Sequence, residues 1–417
     1  MNVQNYTFRD SELKSPKLRL LNHVGSACAK FGMLPTLNAD HIVAMAIDRT
    51  GLKDFGGDSY REPLEVYLHA VEHEANLNTL GRLSVREMLI MSLINRLQVI
   101  DWHSKHPGTA NEKIEKPWII VGLPRTGTSL LSILLGLNPK ARSLLQWEAA
   151  SPIPPPDLAN ASTDTRISTC QSHLDQLLDI NPPLRAMHPF GAMLAQECTA
   201  LFMYDLRTIG LETQAFVPSY GEWLSTASMD SAYHMHKLTL QALQSAQPTE
   251  HWVLKSPNHL WCLDQLMLTY PDARIIWTHR NPSDIVVSLA SLTNALQRPL
   301  TKNQKHKAVA EDWNKKLFNA TQSAAEFDQR QTSNWCYHLQ YEELIENPQQ
   351  AIVNIYTHFG MDVDSLHNSR INKWMDCRPQ STFGRHQYSA SDFGWTKEKL
   401  NAQYHEYALK YCKQSLG

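Results

Sequence analysis

The sequence predicts an α/β fold built on a central parallel sheet with helices on both faces. Two segments indicate it: residues 118–139, WIIVGLPRTGTSLLSILLGLNP, and residues 273–292, ARIIWTHRNPSDIVVSLASL. In each segment a short apolar run typical of a buried strand leads through a loop into a longer apolar run typical of a helix. Because apolar strands alternate with helices, we expect the strands to lie parallel in one sheet, as the middle of three layers.

The residues before the first of these strands predict helices. Residues 63–77, PLEVYLHAVEHEANL, repeat apolar side chains at helical spacing, and residues 84–87, SVRE, form a capping box before another apolar helix. We therefore expect a helical N-terminal region over residues 1–115, packed on an α/β domain over residues 116–417. Within that domain, residues 151–247 predict a mostly helical insertion that begins with the proline-rich turn SPIPPPD.

Composition limits the classes of function. The 39 basic and 41 acidic side chains among 417 residues leave a formal charge of −2, so no general basic field favours nucleic acid or an anionic membrane. The seven cysteines are scattered without a C-x-x-C pair, which favours a reducing compartment. The polar N-terminus does not resemble a signal peptide, and no apolar run approaches the roughly 18 residues of a membrane span. We expect a soluble, cytoplasmic protein and leave its oligomeric state open.

The loop after the first strand has the G-x-x-x-x-G spacing of a phosphate-binding loop, from Gly122 to Gly127. A glycine loop between a strand and a helix directs backbone N–H groups and the positive end of the helix toward one point. In nucleotide triphosphatases a lysine follows the second glycine, but here Thr128 holds that place and the cation is Arg125, inside the loop. The sequence therefore predicts a P-loop-like anion site without the usual lysine.

The end of the second strand is basic, whereas a magnesium site would be acidic there. A kinase or ATPase places an aspartate there to help hold Mg²⁺, whereas this strand ends in Thr278, His279 and Arg280. A basic strand end suits an anion that protein cations contact directly. The sequence thus indicates two metal-free anion sites at the carboxyl ends of two strands of one sheet, where open α/β sheets bind their ligands.

These motifs resemble those of the sulfotransferase family, and they occur in the family's order along nearly the whole chain. Residues 122–129, GLPRTGTS, resemble the family's 5′-phosphosulfate loop, and residues 280–288, RNPSDIVVS, resemble its 3′-phosphate segment. Residues 341–344, YEEL, follow a short strand as the family's Y-E-[DE]-L element does. Residues 384–388, GRHQY, with residues 393–395, FGW, are similar to the C-terminal loop of the larger bacterial members.

The resemblance implies a donor and a set of residues that bind it. The donor would be 3′-phosphoadenosine-5′-phosphosulfate (PAPS), converted to 3′-phosphoadenosine-5′-phosphate (PAP) without a metal ion. Arg125 would stabilise the leaving phosphate, and Lys255, at the end of another short strand, would reach the bridging oxygen. The residues expected to bind the donor are Arg125, Thr126, Gly127, Thr128, Ser129, Leu130, Arg280, Ser288, Tyr341, Arg385 and His386.

The general base has two candidates, one from the resemblance and one from the residues near Lys255. Small cytosolic members use a histidine two residues after the lysine, but Pro257 stands there. Tyrosylprotein sulfotransferases use a glutamate shortly after the helix of the first loop, and Glu148 lies at a comparable spacing. Its alternative role is a structural ion pair with Arg142. His259 is the other candidate, because histidine is the commonest general base, and it too has a structural alternative.

The acceptor pocket is expected to lie in the insertion. His188, Phe190 and Glu197 are its candidate lining residues; a charge such as Glu197 among apolar residues needs either a partner or a substrate. The expected activity is in-line sulfuryl transfer to the hydroxyl, or the amine, of a small-molecule acceptor whose identity the sequence does not give. The alternatives are a P-loop kinase-like phosphotransferase and a non-catalytic nucleotide-binding module.

Overall fold

A computed structural model describes residues 5–11, 15–29, 31, 34, 36–157, 163–332, 334–377 and 385–412, with only the backbone described at residues 5, 29, 385 and 386. These residues form seven strands: β1 (Asn5–Tyr6), β2 (Trp118–Gly122), β3 (Ala141–Ser143), β4 (His251–Lys255), β5 (Arg274–His279), β6 (Cys336–Gln340) and β7 (Arg385–His386).

The α-helices occupy most of the remaining described residues. The first ten are α1 (Pro16–Ala29), α2 (Ala39–Thr50), α3 (Arg61–His73), α4 (Thr79–Lys105), α5 (Thr128–Gly136), α6 (Gln146–Ala150), α7 (Thr165–Ile180), α8 (Thr199–Phe202), α9 (Gly210–Gln214) and α10 (Pro218–Leu224). The others are α11 (Asp230–Ala246), α12 (Leu263–Thr269), α13 (Pro282–Gln297), α14 (His306–Gln329), α15 (Tyr341–Glu346), α16 (Pro348–His358), α17 (Ser365–Asp376), α18 (Lys397–Gln403) and α19 (His405–Tyr411).

Strand β2 lies at the centre of a five-stranded parallel sheet with the order β3-β4-β2-β5-β6. All five residues of β2 and all five of β4 are buried. Burial on both faces explains why these strands are continuous apolar runs rather than alternating ones. The predicted α/β fold with a parallel sheet is therefore confirmed.

Helices cover both faces of the sheet, which gives the predicted three layers. Successive side chains of a strand point to opposite faces. Trp118 and Ile120 of β2 pack in one core with residues of α5, α16 and α17, whereas Ile119 and Val121 pack in a second core with residues of α11, α13 and α14. Both faces of the sheet are thus covered, and the carboxyl ends of its strands are left for a ligand.

The N-terminal helices form a core of their own that extends into the α/β part. Residues of α2, α3 and α4 pack with Leu206, Leu211 and Tyr220, which follow much later in the chain. A buried ion pair crosses the same boundary, because Arg96 donates to Asp205 at 2.6 Å. The region before β2 contains the helices α1 to α4, as the sequence predicts. The predicted ends of the N-terminal region at residue 115 and of the insertion at residue 247 stay an interpretation.

The N-terminal residues also contact the C-terminal part of the chain. Strand β1 pairs in parallel with β7, in the register Asn5 to Arg385. The ring of Phe8 stacks on Phe393 with centroids 5.3 Å apart. The sequence pattern did not predict this short strand.

No helix in the described part of the chain is long and apolar enough to cross a membrane.

The Asp205 carboxylate is expected to be essential for joining the two cores. It accepts hydrogen bonds from Arg96, Arg207, Ser59 and Ser231, and its side chain is fully buried. Removing one partner of a buried ion pair leaves an uncompensated charge, so Asp205→Ala should lower the free energy of unfolding by about 3–5 kcal/mol. Urea denaturation measures the loss.

The matched control for Asp205 is Asp264→Ala. Asp264 pairs with Arg330 on the surface, with side chains 66% and 58% exposed. An exposed pair contributes only about 0–1 kcal/mol. Equal effects of the two substitutions would contradict a structural role for the buried pair.

Candidate functional site

The candidate site lies where β2, β4 and β5 end. Ile120 is in register with Lys255, and Gly122 is in register with Thr278, so the three strands terminate at the same edge. Beyond that edge is a cavity of about 480 Å³. Its polar end is lined by the loop after β2, by Arg280 directly after β5 and by Tyr341 at the start of α15.

The glycines of the loop are required by close contacts and by backbone conformation. Gly122 has φ 149°, and a Cβ there would lie 2.3 Å from the Thr278 hydroxyl. Gly127 has φ 83°, and a Cβ there would lie 3.2 Å from the ring of Tyr341. Arg125, at the tip, has a positive φ of 69°, which non-glycine residues adopt rarely. Close contacts and positive φ angles therefore fix the conformation of the loop.

The hydroxyl of Thr126 is used within the loop itself. It donates to the Leu123 carbonyl at 2.7 Å and contacts the Thr278 hydroxyl at 2.6 Å, and the residue is 1% exposed. The hydroxyl proton is therefore used within the loop, so the contact that the sequence predicts between Thr126 and the donor would be made by its backbone N–H. Thr128, Ser129 and Leu130 begin helix α5 and line the cavity as expected.

Two guanidinium groups converge beside the loop. Arg125 donates from Nε to the Ser288 hydroxyl at 3.2 Å and from Nη1 to the Met187 carbonyl at 3.0 Å. Arg280 donates to the Arg125 carbonyl at 3.1 Å and lies over the Tyr341 ring, 4.4 Å from its centroid. Burial lowers the pKa of Arg125, and the charge of Arg280 adds to the effect. Among the described residues neither guanidinium donates to a carboxylate, so both can pair with an anion.

Glu197 lines the cavity and forms an ion pair with Lys255, which is itself outside the lining formed by the described residues. Nζ of Lys255 lies 3.0 Å from Oε1 of Glu197; the lysine side chain is 3% exposed and the glutamate 27%. The segment is fixed because the backbone N–H of Cys198 donates to the Lys255 carbonyl at 2.8 Å. Burial alone would raise the pKa of Glu197, but Lys255 and His188 offset it and the pKa is lowered. Glu197 is therefore a carboxylate at neutral pH.

His188 and Phe190, the other residues expected in the acceptor pocket, also line the cavity. Their rings pack edge to face, with centroids 5.2 Å apart. Burial lowers the pKa of His188 to about 4, and the positive charge of Lys255 contributes. The imidazole is therefore neutral at pH 7. Its Nδ1 is buried without a hydrogen-bond partner among the residues that the structure describes.

Glu148 does not fit the role of a general base. Its side chain is 2% exposed; Oε1 accepts from Arg142 at 2.8 Å, and Oε2 accepts from the Leu145 N–H at 3.0 Å. It lies outside the cavity lining formed by the described residues. The alternative that the sequence allowed, a structural pair with Arg142, is the arrangement found. Spacing along the sequence could not show that the carboxylate turns back onto the start of its own helix, α6.

His259 is also outside the cavity lining formed by the described residues. It lies in the 3-10 helix Pro257–Trp261, is fully buried, and its Nδ1 contacts the Tyr233 hydroxyl at 2.8 Å. Burial lowers its pKa well below the usual value. The side chains of Arg385 and His386, expected to bind the 3′-phosphate, lie outside the described residues, as does Gly384.

An apolar wall faces the charged end of the cavity, and the sequence analysis missed it. Part of it comes from α13, which provides Leu289, Leu292 and Leu296. Their spacing of three and four residues marks one helix face, so the signal was present in the sequence. Trp313 of α14 and Leu194 continue the wall. The cavity thus joins a cationic end to an apolar end.

Comparison with known proteins places the chain in a family. The sulfotransferase family profile matches residues 117–365, more than half of the chain, and the protein belongs to that family. The sulfotransferase STF1 from Mycobacterium tuberculosis H37Rv superposes with a TM-score of 0.80 at 29% identity over 88% of this chain and 98% of its own.

The sulfotransferase STF9 from Mycobacterium avium superposes with a TM-score of 0.83 at 28% identity over 91% of this chain and 98% of its own. Comparison with curated proteins returned no significant match. The resemblance drawn from the motifs is thereby confirmed at the level of family and fold. It covers both the α/β part and the N-terminal helices, because the similar structures span nearly the whole chain.

The buried position of Glu148 predicts an effect on stability rather than on chemistry. Glu148→Ala leaves Arg142 buried without its ion partner, so the free energy of unfolding should fall by about 3–5 kcal/mol. Turnover per folded molecule should stay close to that of the wild type. The control is Glu115→Ala, a surface glutamate near the same sheet. A stable variant with lost turnover would return Glu148 to the catalytic site.

Proposed function

We propose that the protein transfers a sulfuryl group from PAPS to the hydroxyl, or the amine, of a small, largely apolar acceptor. The observation that carries the proposal is that a glycine loop, two guanidinium groups and Glu197 meet at one cavity, with Glu197 ion-paired to Lys255. We place the reaction in the cytoplasm, which suits the free cysteines.

The donor would lie along the carboxyl edge of the sheet. Backbone N–H groups of the loop and of the start of α5 would hold the 5′-phosphosulfate. Arg280 and Ser288 would bind the 3′-phosphate, since a guanidinium and a hydroxyl offer charged and neutral donors together. Tyr341, which packs against Gly127 and under Arg280, would lie beside the adenine.

The transfer itself requires little from the protein beyond alignment, charge stabilisation and removal of one proton. The acceptor oxygen forms a bond to sulfur as the bond from sulfur to the bridging oxygen breaks. The electron pair of that bond leaves with PAP, and Arg125 and Lys255 stabilise the developing negative charge. The proton of the acceptor passes to a protein base, which balances the reaction.

Glu197 is the base that the geometry favours in place of Glu148. It is partly exposed in the cavity, ionised at neutral pH, and in contact with the lysine proposed to act on the bridging oxygen. When Lys255 turns to the donor, the Glu197 carboxylate loses its partner, and nearby phosphates make it more basic. His188, with its low pKa, would serve as a neutral hydrogen-bonding group.

The apolar wall describes the acceptor class. Leucines of α13 and Trp313 would cover a carbon skeleton, while the hydroxyl would point to Glu197. A kinase-like reaction is the competing function. Incubation with PAPS and with ATP plus Mg²⁺, in parallel, separates the two: transfer of sulfate from PAPS supports the proposal, and phosphate transfer alone would refute it.

The role of Arg280 predicts a loss of selectivity for the 3′-phosphate. A charged hydrogen bond contributes about 1.5–3 kcal/mol, so Arg280→Ala should weaken PAP binding tenfold or more relative to the analogue without the 3′-phosphate. Isothermal titration calorimetry with both nucleotides measures this ratio. The control is Arg330→Ala, which removes an exposed arginine. Equal weakening of both nucleotides would remove Arg280 from the 3′ site.

The role of Glu197 predicts a loss of turnover without a loss of donor affinity. Glu197→Gln keeps the shape but cannot take a proton, so kcat should fall by about 10²–10⁴. The loss should be smaller for an acidic phenol than for an aliphatic alcohol. The pKa of Glu197 is lowered, so its carboxylate stays ionised throughout the range from pH 8 to pH 6. Protonation of Glu197 should therefore not lower kcat/KM in this range.

His188→Gln is the comparison for the same assay. It should leave most of the turnover, since the neutral imidazole is not the proton acceptor. If His188→Gln abolished turnover while Glu197→Gln retained it, the general base would be His188.

A further inference from the structure

Three side chains with metal-binding atoms meet inside the protein, away from the cavity lining. They are Cys198, immediately before α8, His236 on α11 and His259 in the 3-10 helix after β4. One ligand atom from each lies within 4.8 Å of the other two. All three residues are at most 1% exposed. The proposed sulfuryl transfer uses none of them.

The two imidazoles are oriented in the same way. Nδ1 of His236 lies 2.7 Å from the Tyr270 hydroxyl, and Nδ1 of His259 lies 2.8 Å from the Tyr233 hydroxyl. If each Nδ1–H donates to its tyrosine oxygen, each Nε2 carries the free lone pair. A second group that fixes the tautomer of a histidine is the usual support of a metal ligand.

The remaining nitrogens are left without a partner. Nε2 of His236 and Nε2 of His259 are buried and form no hydrogen bond within the described part of the chain. A buried polar atom without a partner costs about 1–3 kcal/mol, and such atoms are uncommon in native proteins. Two such atoms beside a cysteine, in rings held by tyrosines, indicate a ligand that all three groups share.

The set of donors selects the kind of ligand. A thiolate and two imidazoles suit Zn²⁺ or Cu⁺ and do not suit Mg²⁺ or Ca²⁺. With metal–sulfur and metal–nitrogen distances of about 2.3 Å and 2.0–2.1 Å, ligand atoms lie roughly 3.3–3.8 Å apart. The observed limit of 4.8 Å is about 1 Å larger, a difference that small side-chain rotations would close.

The protonation states are compatible with metal uptake. Burial lowers the pKa of His236 to about 3 and that of His259 well below its usual value, so both imidazoles are neutral and free to coordinate. Burial raises the pKa of the Cys198 thiol to about 12, so an ion must displace its proton. The overall change is that a thiol and a free cation become a metal thiolate and a released proton.

We propose that Cys198, His236 and His259 form a structural site for one thiophilic cation, Zn²⁺ or Cu⁺. The ion would join α11, the segment after β4 and the start of α8. Cys198 follows the proposed base Glu197, and its backbone N–H donates to the carbonyl of Lys255. The site would therefore stabilise the position of the Lys255–Glu197 pair from behind. Because the three ligands are buried, the ion would be taken up as the chain folds.

The test is the metal content of the protein as purified from cells grown with added zinc or with added copper. Mass spectrometry of the wild type should find about one ion per chain from one of the two media. X-ray absorption at the edge of that metal should show one sulfur at about 2.3 Å and two nitrogens at about 2.0–2.1 Å. Zinc and copper are told apart by the edge itself.

Two cysteine variants connect the ion to this site. Cys198→Ser should hold at least tenfold less metal than the wild type, whereas Cys170→Ser, which removes a buried cysteine on α7, should hold the same amount. Cys198→Ser is expected to unfold at a lower temperature than the wild type grown with the metal that it binds.

Three results would overturn the proposal. They are a wild type that lacks stoichiometric metal from both media, a Cys198→Ser variant that retains the ion, and an absorption spectrum without a sulfur ligand. The absorption measurement uses only the wild type, so the proposal stays testable if Cys198→Ser fails to fold. None of these measurements depends on the sulfotransferase reaction.

Discussion

The position of β2 between β4 and β5 is the constraint on which the site depends. Parallel neighbours hydrogen-bonded in register end at the same edge, so the glycine loop after β2, Lys255 at the end of β4 and Arg280 after β5 must lie side by side. The two cores that enclose the sheet hold this register, because a shift of one residue would exchange the faces of Trp118 and Ile119. The cationic end of the cavity is therefore a consequence of strand order.

Within this frame the Lys255–Glu197 pair connects the sheet to the acceptor side. A buried pair is weak evidence for stability, since desolvation can cost as much as the attraction returns. Its value here is positional: the lysine comes from a strand of the sheet, while the glutamate comes from the segment before α8, and a backbone hydrogen bond from Cys198 fixes the two at one distance. Cys198 is also one of the three residues of the proposed metal site. The segment of Glu197 and Cys198 would therefore hold both the proposed base and a metal ligand.

The sequence predicted what is encoded locally. The sheet, the loop from Gly122 to Gly127 and the basic end at Arg280 depend on neighbouring residues, and the structure has them as expected. The identity of the general base depends on which distant segment of the chain returns to the cavity. Spacing along the sequence suggests Glu148, but its carboxylate caps its own helix. The meeting of Cys198 with two histidines from later segments could not be seen either, because their spacing in sequence follows no metal-binding motif.

Helix α13 links the two chemically different ends of the cavity. It begins directly after Arg280, carries Ser288 beside Arg125, and then presents Leu289, Leu292 and Leu296 to the apolar end. A single rigid helix therefore sets the distance between the anion site and the apolar wall. Since transfer requires donor and acceptor in line within about 3–3.5 Å, a fixed separation is an advantage that a mobile loop could not provide. In the proposed reaction, the class of acceptor would therefore depend on the side chains that one face of this helix carries.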